Sequence, residues 1–167
     1  MFQRYEEFET AYEQYSPAIE KYFSVCFGLD TAEELTQQLF LKVWTYLLAY
    51  PSFVPNDWKP WLFRIAVNLK NDHIRFMKKL PQNFSLLEEA DSYSDPGFTQ
   101  EFTQNIVDGI TVRTALLRLS EQDRDLILLR YMGFDSYEIG KLMQVSPSTV
   151  RSKMTAAKKR FQKELQK

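Results

Sequence analysis

Apolar residues recur at helical spacing along most of the chain and nowhere alternate, so the pattern predicts helices and gives no reason for a sheet. A first helix is expected from about Tyr5 to Cys26, with Gly28 behind it. Thr31 and Glu34 read as a capping box that opens a second helix running to about Tyr50, with Leu35, Leu39, Val43 and Leu47 as its apolar series. Pro51 and Pro55 force a loop. Asn56 or Asp57 then caps a third helix, which carries Pro60 in its first turn and continues to about Lys79, where Pro81 ends it. From Gln82 to about Gly109 the pattern weakens, Pro96 and Gly97 break it, and Phe84, Phe98 and Phe102 remain as candidate anchors. Beyond lie a helix from Ile110 to Leu119, a second box at Ser120 and Asp123 opening a helix to Tyr131, and then Gly133.

The chain closes with two short helices at a tight turn. Asp135 to Leu142 has Ile139 and Leu142 as its apolar positions, and Met143, Gln144 and Val145 join it to a helix over Ser146 to Phe161. Ser146 is a capping residue, and Pro147 suits the first helical position because the missing N–H would be unpaired there. Val150, Met154, Ala157 and Phe161 form an inward stripe; Ser148, Thr149, Arg151, Ser152, Thr155, Lys158 and Lys159 point away from it. Such a pair is a helix-turn-helix, whose second helix enters the major groove of DNA. Thr149, Arg151, Ser152 and Thr155 are candidate base readers, with Lys153, Lys158, Lys159 and Arg160 as candidate phosphate anchors. An amphipathic terminal helix with a solvated basic face is the plainer alternative.

Charge sharpens this picture. Among the 167 residues the net charge is only −1, which by itself argues against nucleic acid. The average hides segregation: acids crowd the start and the stretch from Glu88 to Asp108, while cations gather from Lys59 to Lys79 and again from Arg151 onward. Two basic surfaces divided by acidic stretches suit one long polyanion held at two places. Cys26, the single cysteine, sits in an apolar run and reads as a reduced core thiol; His73 is the only histidine and reads as a polar helix residue near the cations. No metal site, glycine-rich phosphate loop or Ser/His pair is apparent, so neither a cofactor nor an enzyme active site is expected. With no apolar run of membrane-spanning length and acids near the start, a cytoplasmic protein is expected.

The expected architecture is all-α: two small helical domains, residues 1–80 and 110–167, joined by a flexible acidic linker over 81–109, the second domain a helix-turn-helix. In this order the segments ELTQQLFLKVW (Glu34 to Trp44), WLFRIAVNLKNDHIR (Trp61 to Arg75) and SYEIGKLMQVSPSTVRSKMTAAKKRF closely resemble the extracytoplasmic-function (ECF) group of bacterial sigma factors. The resemblance leaves only the linker and extreme ends unmatched, and nothing resembles the extra N-terminal region or third domain of housekeeping sigma factors.

The resemblance implies roles by position. Glu34, Gln37, Gln38 and Lys42 would dock on the clamp helices of the largest subunit of core RNA polymerase, Gln38 standing where the family often has glutamate. Phe53 would pack on an unstacked base of the minus-10 element and Asn68 would hydrogen-bond its edge; Lys59, Arg64, Lys70, Arg75, Lys78 and Lys79 would meet phosphates. Core packing is the alternative for Phe53, and Trp61, Leu62 and Ile65 are assigned mainly to the core. The last helix would read the minus-35 element, with Arg151 the best candidate for bidentate contact to guanine. The family further implies contact with the flap of the second polymerase subunit, promoter DNA as partner, an anti-sigma factor that can hold the chain at the membrane, and no small-molecule substrate. Two rivals remain: a stand-alone duplex-binding regulator, for which WLFRIAVN and its cationic tail would be unneeded, and a module that binds only a protein.

Overall fold

A computed structural model describes residues 2–80 and 109–167; the expectations for the linker, for Pro81 and for Phe84, Phe98 and Phe102 fall outside the described residues. The described elements are all helices: α1 (Phe2–Phe27), α2 (Leu29–Ala49), α3 (Trp58–Lys78), α4 (Gly109–Arg118), α5 (Glu121–Tyr131), α6 (Ser136–Met143) and α7 (Pro147–Leu165). They belong to two compact units, Met1–Gln82 and Asn83–Lys167.

In the first unit α1 lies along α2, and α3 packs on both. The apolar series predicted for α2 is buried in full, Leu35, Leu39, Val43 and Leu47, against Ile19, Tyr22, Phe23 and Phe27 of α1 and Leu62, Phe63, Ala66 and Val67 of α3. Cys26 is a free, buried thiol. The helix α1 runs through Pro17, which can give no N–H to the carbonyl one turn before.

One cap differs from the sequence expectation. Helix α2 starts at Leu29, so Thr31 lies within its first turn and the Thr31–Glu34 box does not open it. Gly28 takes that place with φ 83°, a backbone conformation that costs a glycine nothing, and its carbonyl accepts from Ala32 N–H at 3.1 Å. At α3 the expectation holds, since the Asp57 carboxylate accepts from Lys59 N–H at 3.2 Å.

In the second unit α7 packs against α4, α5 and α6. Val150, Met154, Ala157 and Phe161 are buried as predicted, facing Leu116, Leu128, Leu129, Phe134 and Ile139 among others. Ser120 caps α5 by accepting from Asp123 N–H at 3.2 Å, but the carboxylate of Asp123 turns to Arg160 at 2.7 Å, so the expected box is half a box. Helix α5 ends where Gly133, at φ 95°, lets Phe134 N–H reach back to the Leu129 carbonyl at 3.2 Å and drops the Phe134 ring into the core.

Candidate nucleic-acid interface

The helix-turn-helix is fastened at each joint by a specific backbone requirement. Asp135 and Glu138 form a reciprocal capping box at the start of α6, with bonds of 2.8 Å in both directions. Gln144 then takes the left-handed conformation, φ 60° and ψ 43°, which turns the chain, and Val145 N–H returns to the Gly140 carbonyl at 2.9 Å. Gly140 is the closest joint: a Cβ there would lie 2.6 Å from the Val145 carbonyl oxygen. Only hydrogen fits.

Ser146 then caps α7, its Oγ accepting from Thr149 N–H at 3.2 Å, with Pro147 at the first turn. The outward residues divide by what their polar atoms already do. Thr149 Oγ1 lies 2.7 Å from Ser146 Oγ and Ser148 Oγ 3.1 Å from it, so these hydroxyls belong to the cap as well as to the surface. Ser152 and Thr155 fold their hydroxyls onto the carbonyls of Thr149 and Arg151. Arg151, Lys158 and Lys159 are exposed and, among the described residues, their side chains carry no hydrogen bond or ion pair. Two cations grouped with them in the sequence are used inside the unit: Lys153 donates to Gln122 at 3.0 Å, and Arg160 bridges to Asp123. These two tie α7 to α5 and are not free anchors.

In the first unit, the loop between α2 and α3 carries Phe53 perpendicular to Tyr46 and tilted against Trp61, ring centroids 5.1 and 5.4 Å away, with Tyr50 on Tyr46 and Trp58 on Trp61. Phe53 is half-buried in this aromatic cluster, between the core and the surface roles weighed for it. Tyr46, Tyr50 and Trp58 were not singled out by sequence; Tyr46 and Tyr50, one helical turn apart, were the available signal. Asn68 is exposed on α3, on the face that also carries Arg64 and Arg75. Arg75 pairs with Asp72 at 2.9 Å, both largely exposed, a pair that leaves the guanidinium easily redirected.

Lys70 is only 1% exposed and has interactions within the protein, so it presents no charge to a phosphate; its stem fills the inward face of α3 beside Leu69. Lys59 is half-buried and likewise engaged. His73, expected beside the cations, instead sets its ring edge-on to Phe27 at 4.6 Å. Burial there holds the imidazole below its ordinary pKa of 6.5, partly opposed by the carboxylate of Glu34.

The polar face of α2 is open: Glu34, Gln37, Gln38 and Lys42 are all exposed, with Gln38 donating to Glu34 at 3.4 Å. Between them stands Leu41, 66% exposed, with Leu48 two turns on, an apolar pair the sequence reading did not single out because it lies off the buried series. Among the described residues no group of three His, Cys, Asp or Glu side chains gathers where a metal could sit, and no helix is long and apolar enough to cross a membrane.

Residues 110–161 match the family described as Sigma-70, region 4. The chain is similar along its length to the ECF RNA polymerase sigma factor SigW of Bacillus subtilis, 24% identical over 87% of this chain and 83% of that one. It is also similar to the RNA polymerase sigma factor YlaC of the same organism, 26% identical over 95% and 92%. Among solved structures it resembles the sigma factor RpoE of Bartonella quintana in complex with the anti-sigma factor NepR, with TM-score 0.72, 21% identity, and 96% and 97% of the two chains covered. CnrH in complex with the cytosolic domain of CnrY gives TM-score 0.66 at 18% identity, covering 95% and 87%.

Proposed function

We propose that the chain is a sigma factor of the ECF group, a non-catalytic factor of transcription initiation like the proteins it is similar to, and that it binds core RNA polymerase and directs it to promoters by reading two DNA elements. The observation that carries this reading is the face of α7, where Arg151, Lys158 and Lys159 stand unpaired beside small hydroxyls on a helix whose other side is wholly buried. A rigid helix with that division can lie in a major groove and bring Arg151 to a guanine edge while Lys158 and Lys159 meet phosphates. In this reading α7 takes the minus-35 element.

The first unit takes the minus-10 element. Melted DNA offers an extruded base, and the half-exposed ring of Phe53 with the outward amide of Asn68 supplies a stacking face and a hydrogen-bonding edge. Arg64 and Arg75 attend the backbone. The α2 face of Glu34, Gln37, Gln38 and Lys42 docks on the polymerase clamp, and the exposed Leu41 gives that contact an apolar centre. The similar RpoE is bound by the anti-sigma factor NepR, and in this reading an anti-sigma partner restrains this chain in the cytoplasm or at the membrane.

Run-off transcription on fragmented genomic DNA from the source bacterium tests the reading, with core polymerase alone and with this chain added. Discrete new transcripts only in the mixture are the expected result. No new transcript from an active core, together with tight binding of the chain alone to duplex DNA, would point to a stand-alone regulator instead.

A further inference from the structure

Arg4 reaches from the start of α1 to the far end of α2, where the Phe53 loop begins. Its guanidinium donates to the carbonyl of Leu47 at 2.8 Å, to that of Tyr50 at 3.3 Å, and to that of Pro51. The Leu47 carbonyl would ordinarily accept from the N–H four residues on, but that residue is Pro51, which has none. Arg4 supplies the missing donor. A cation at this place also meets the negative end of the α2 dipole.

The Tyr50 carbonyl is shared. It accepts from Arg4 and also from the N–H of Phe53 at 3.0 Å. One oxygen therefore connects the guanidinium to the backbone of the residue whose ring rests on Tyr46 and Trp61. We infer that Arg4 is a positioning residue for base capture: it fixes where α2 stops and so aims Phe53. This rests on reading the Phe53 loop as part of the minus-10 pocket. A lysine would keep the charge at one nitrogen, whereas the planar guanidinium spreads its donors over three oxygens, so the two side chains are not equivalent here.

The test uses the whole chain with core polymerase on a duplex promoter recovered by run-off transcription and on single-base variants of its minus-10 element. The readout is the ratio of transcript from the native element to transcript from each variant. Arg4→Ala should shrink that ratio by about tenfold, at the same base position where Phe53→Ala shrinks it, because several bonds to one charged group are lost together. Arg4→Lys should recover part of the ratio, and affinity for core, measured by competition, should stay within about twofold since Arg4 sits at the end of α2, past Glu34, Gln37, Gln38 and Lys42. A chain that is merely less stable would lose transcript from every template by one factor and leave the ratio alone. An unchanged ratio in Arg4→Ala, with wild-type preference intact, overturns the inference by itself. A wild-type chain that initiates with no minus-10 preference overturns the functional reading, and this inference with it.

Discussion

Each unit closes a helix with an arginine, and the two arginines work over different ranges. In the second unit Arg124, 5% exposed, donates to the carbonyls of Leu116, Leu117 and Leu119 at 3.1, 3.4 and 3.2 Å, finishing the helix immediately before its own. In the first unit Arg4, half-exposed, finishes a helix whose end lies more than forty residues along the chain. The near arginine is sealed in a core that forms from neighbouring segments; the far one depends on α1 and α2 having already come together. The end of α4 is thus held by a local tie, the Phe53 loop by a long-range one. Stability experiments should respond to this difference in kind.

Arg124→Ala strikes the local side hardest. It orphans three buried carbonyls, and a loss of about 3–5 kcal/mol is expected, read as a large fall in the urea midpoint of the second unit's tryptophan-free transition followed by circular dichroism. A loss below 1 kcal/mol, with the chain otherwise native, would show that water replaces the guanidinium and that the contrast drawn above is false. Gly140→Ala comes next. Backbone must move because the added Cβ meets a carbonyl and not a flexible side chain, at about 1–3 kcal/mol. Loss of minus-35 DNA binding at temperatures where the chain is still folded should accompany it, visible in a gel-shift or anisotropy titration.

A smaller effect separates reading from holding. Arg151→Ala should relax selectivity at one minus-35 position by about 1–3 kcal/mol, and Asn68→Ala should broaden minus-10 preference, each leaving the melting temperature nearly unchanged because both side chains are exposed. Equal weakening on every sequence would recast Arg151 as a phosphate contact. The least effect is expected from His73. Its pKa is lowered in the folded chain, so as pH falls below about 6.5 the unfolded chain takes the proton first and the first unit loses stability. That loss stops once pH passes below the folded value. His73→Gln should flatten the dependence in this window, and an unaltered slope would assign it to another group.

The same contrast explains what could be read in the sequence. Much of the second unit was legible, since Ser120 and Ser146 act on N–H groups three positions away, Pro147 suits a first turn by lacking its own N–H, and the Val150, Met154, Ala157, Phe161 stripe is a matter of period, whereas Asp135 was read as helix and is its cap. What escaped notice there was the duty of Gly140, which depends on how closely α6 and the next turn approach. In the first unit the apolar series of α2 and the Asp57 cap were legible for the same reason. Thr31 misled because a threonine and a glutamate three apart fit a box wherever they fall, while Gly28 had already made the turn. Lys70 and Arg4 were beyond a local reading: one is drawn inward by its stem and its partners, the other outward to a helix end far along the chain. Charge alone says nothing of which side of a helix a lysine will take.

The division of α7 also bears on how such a protein can change over generations. Its inward side chains are pinned by the core, and its joints by Gly140 and Ser146, but Arg151, Lys158 and Lys159 hold nothing else in place. Substitutions there are nearly neutral for folding, so the outer face is free to drift until whatever it touches selects among the variants. A gene copy could acquire a different DNA vocabulary through a handful of changes on one helix, without passing through an unfolded ancestor.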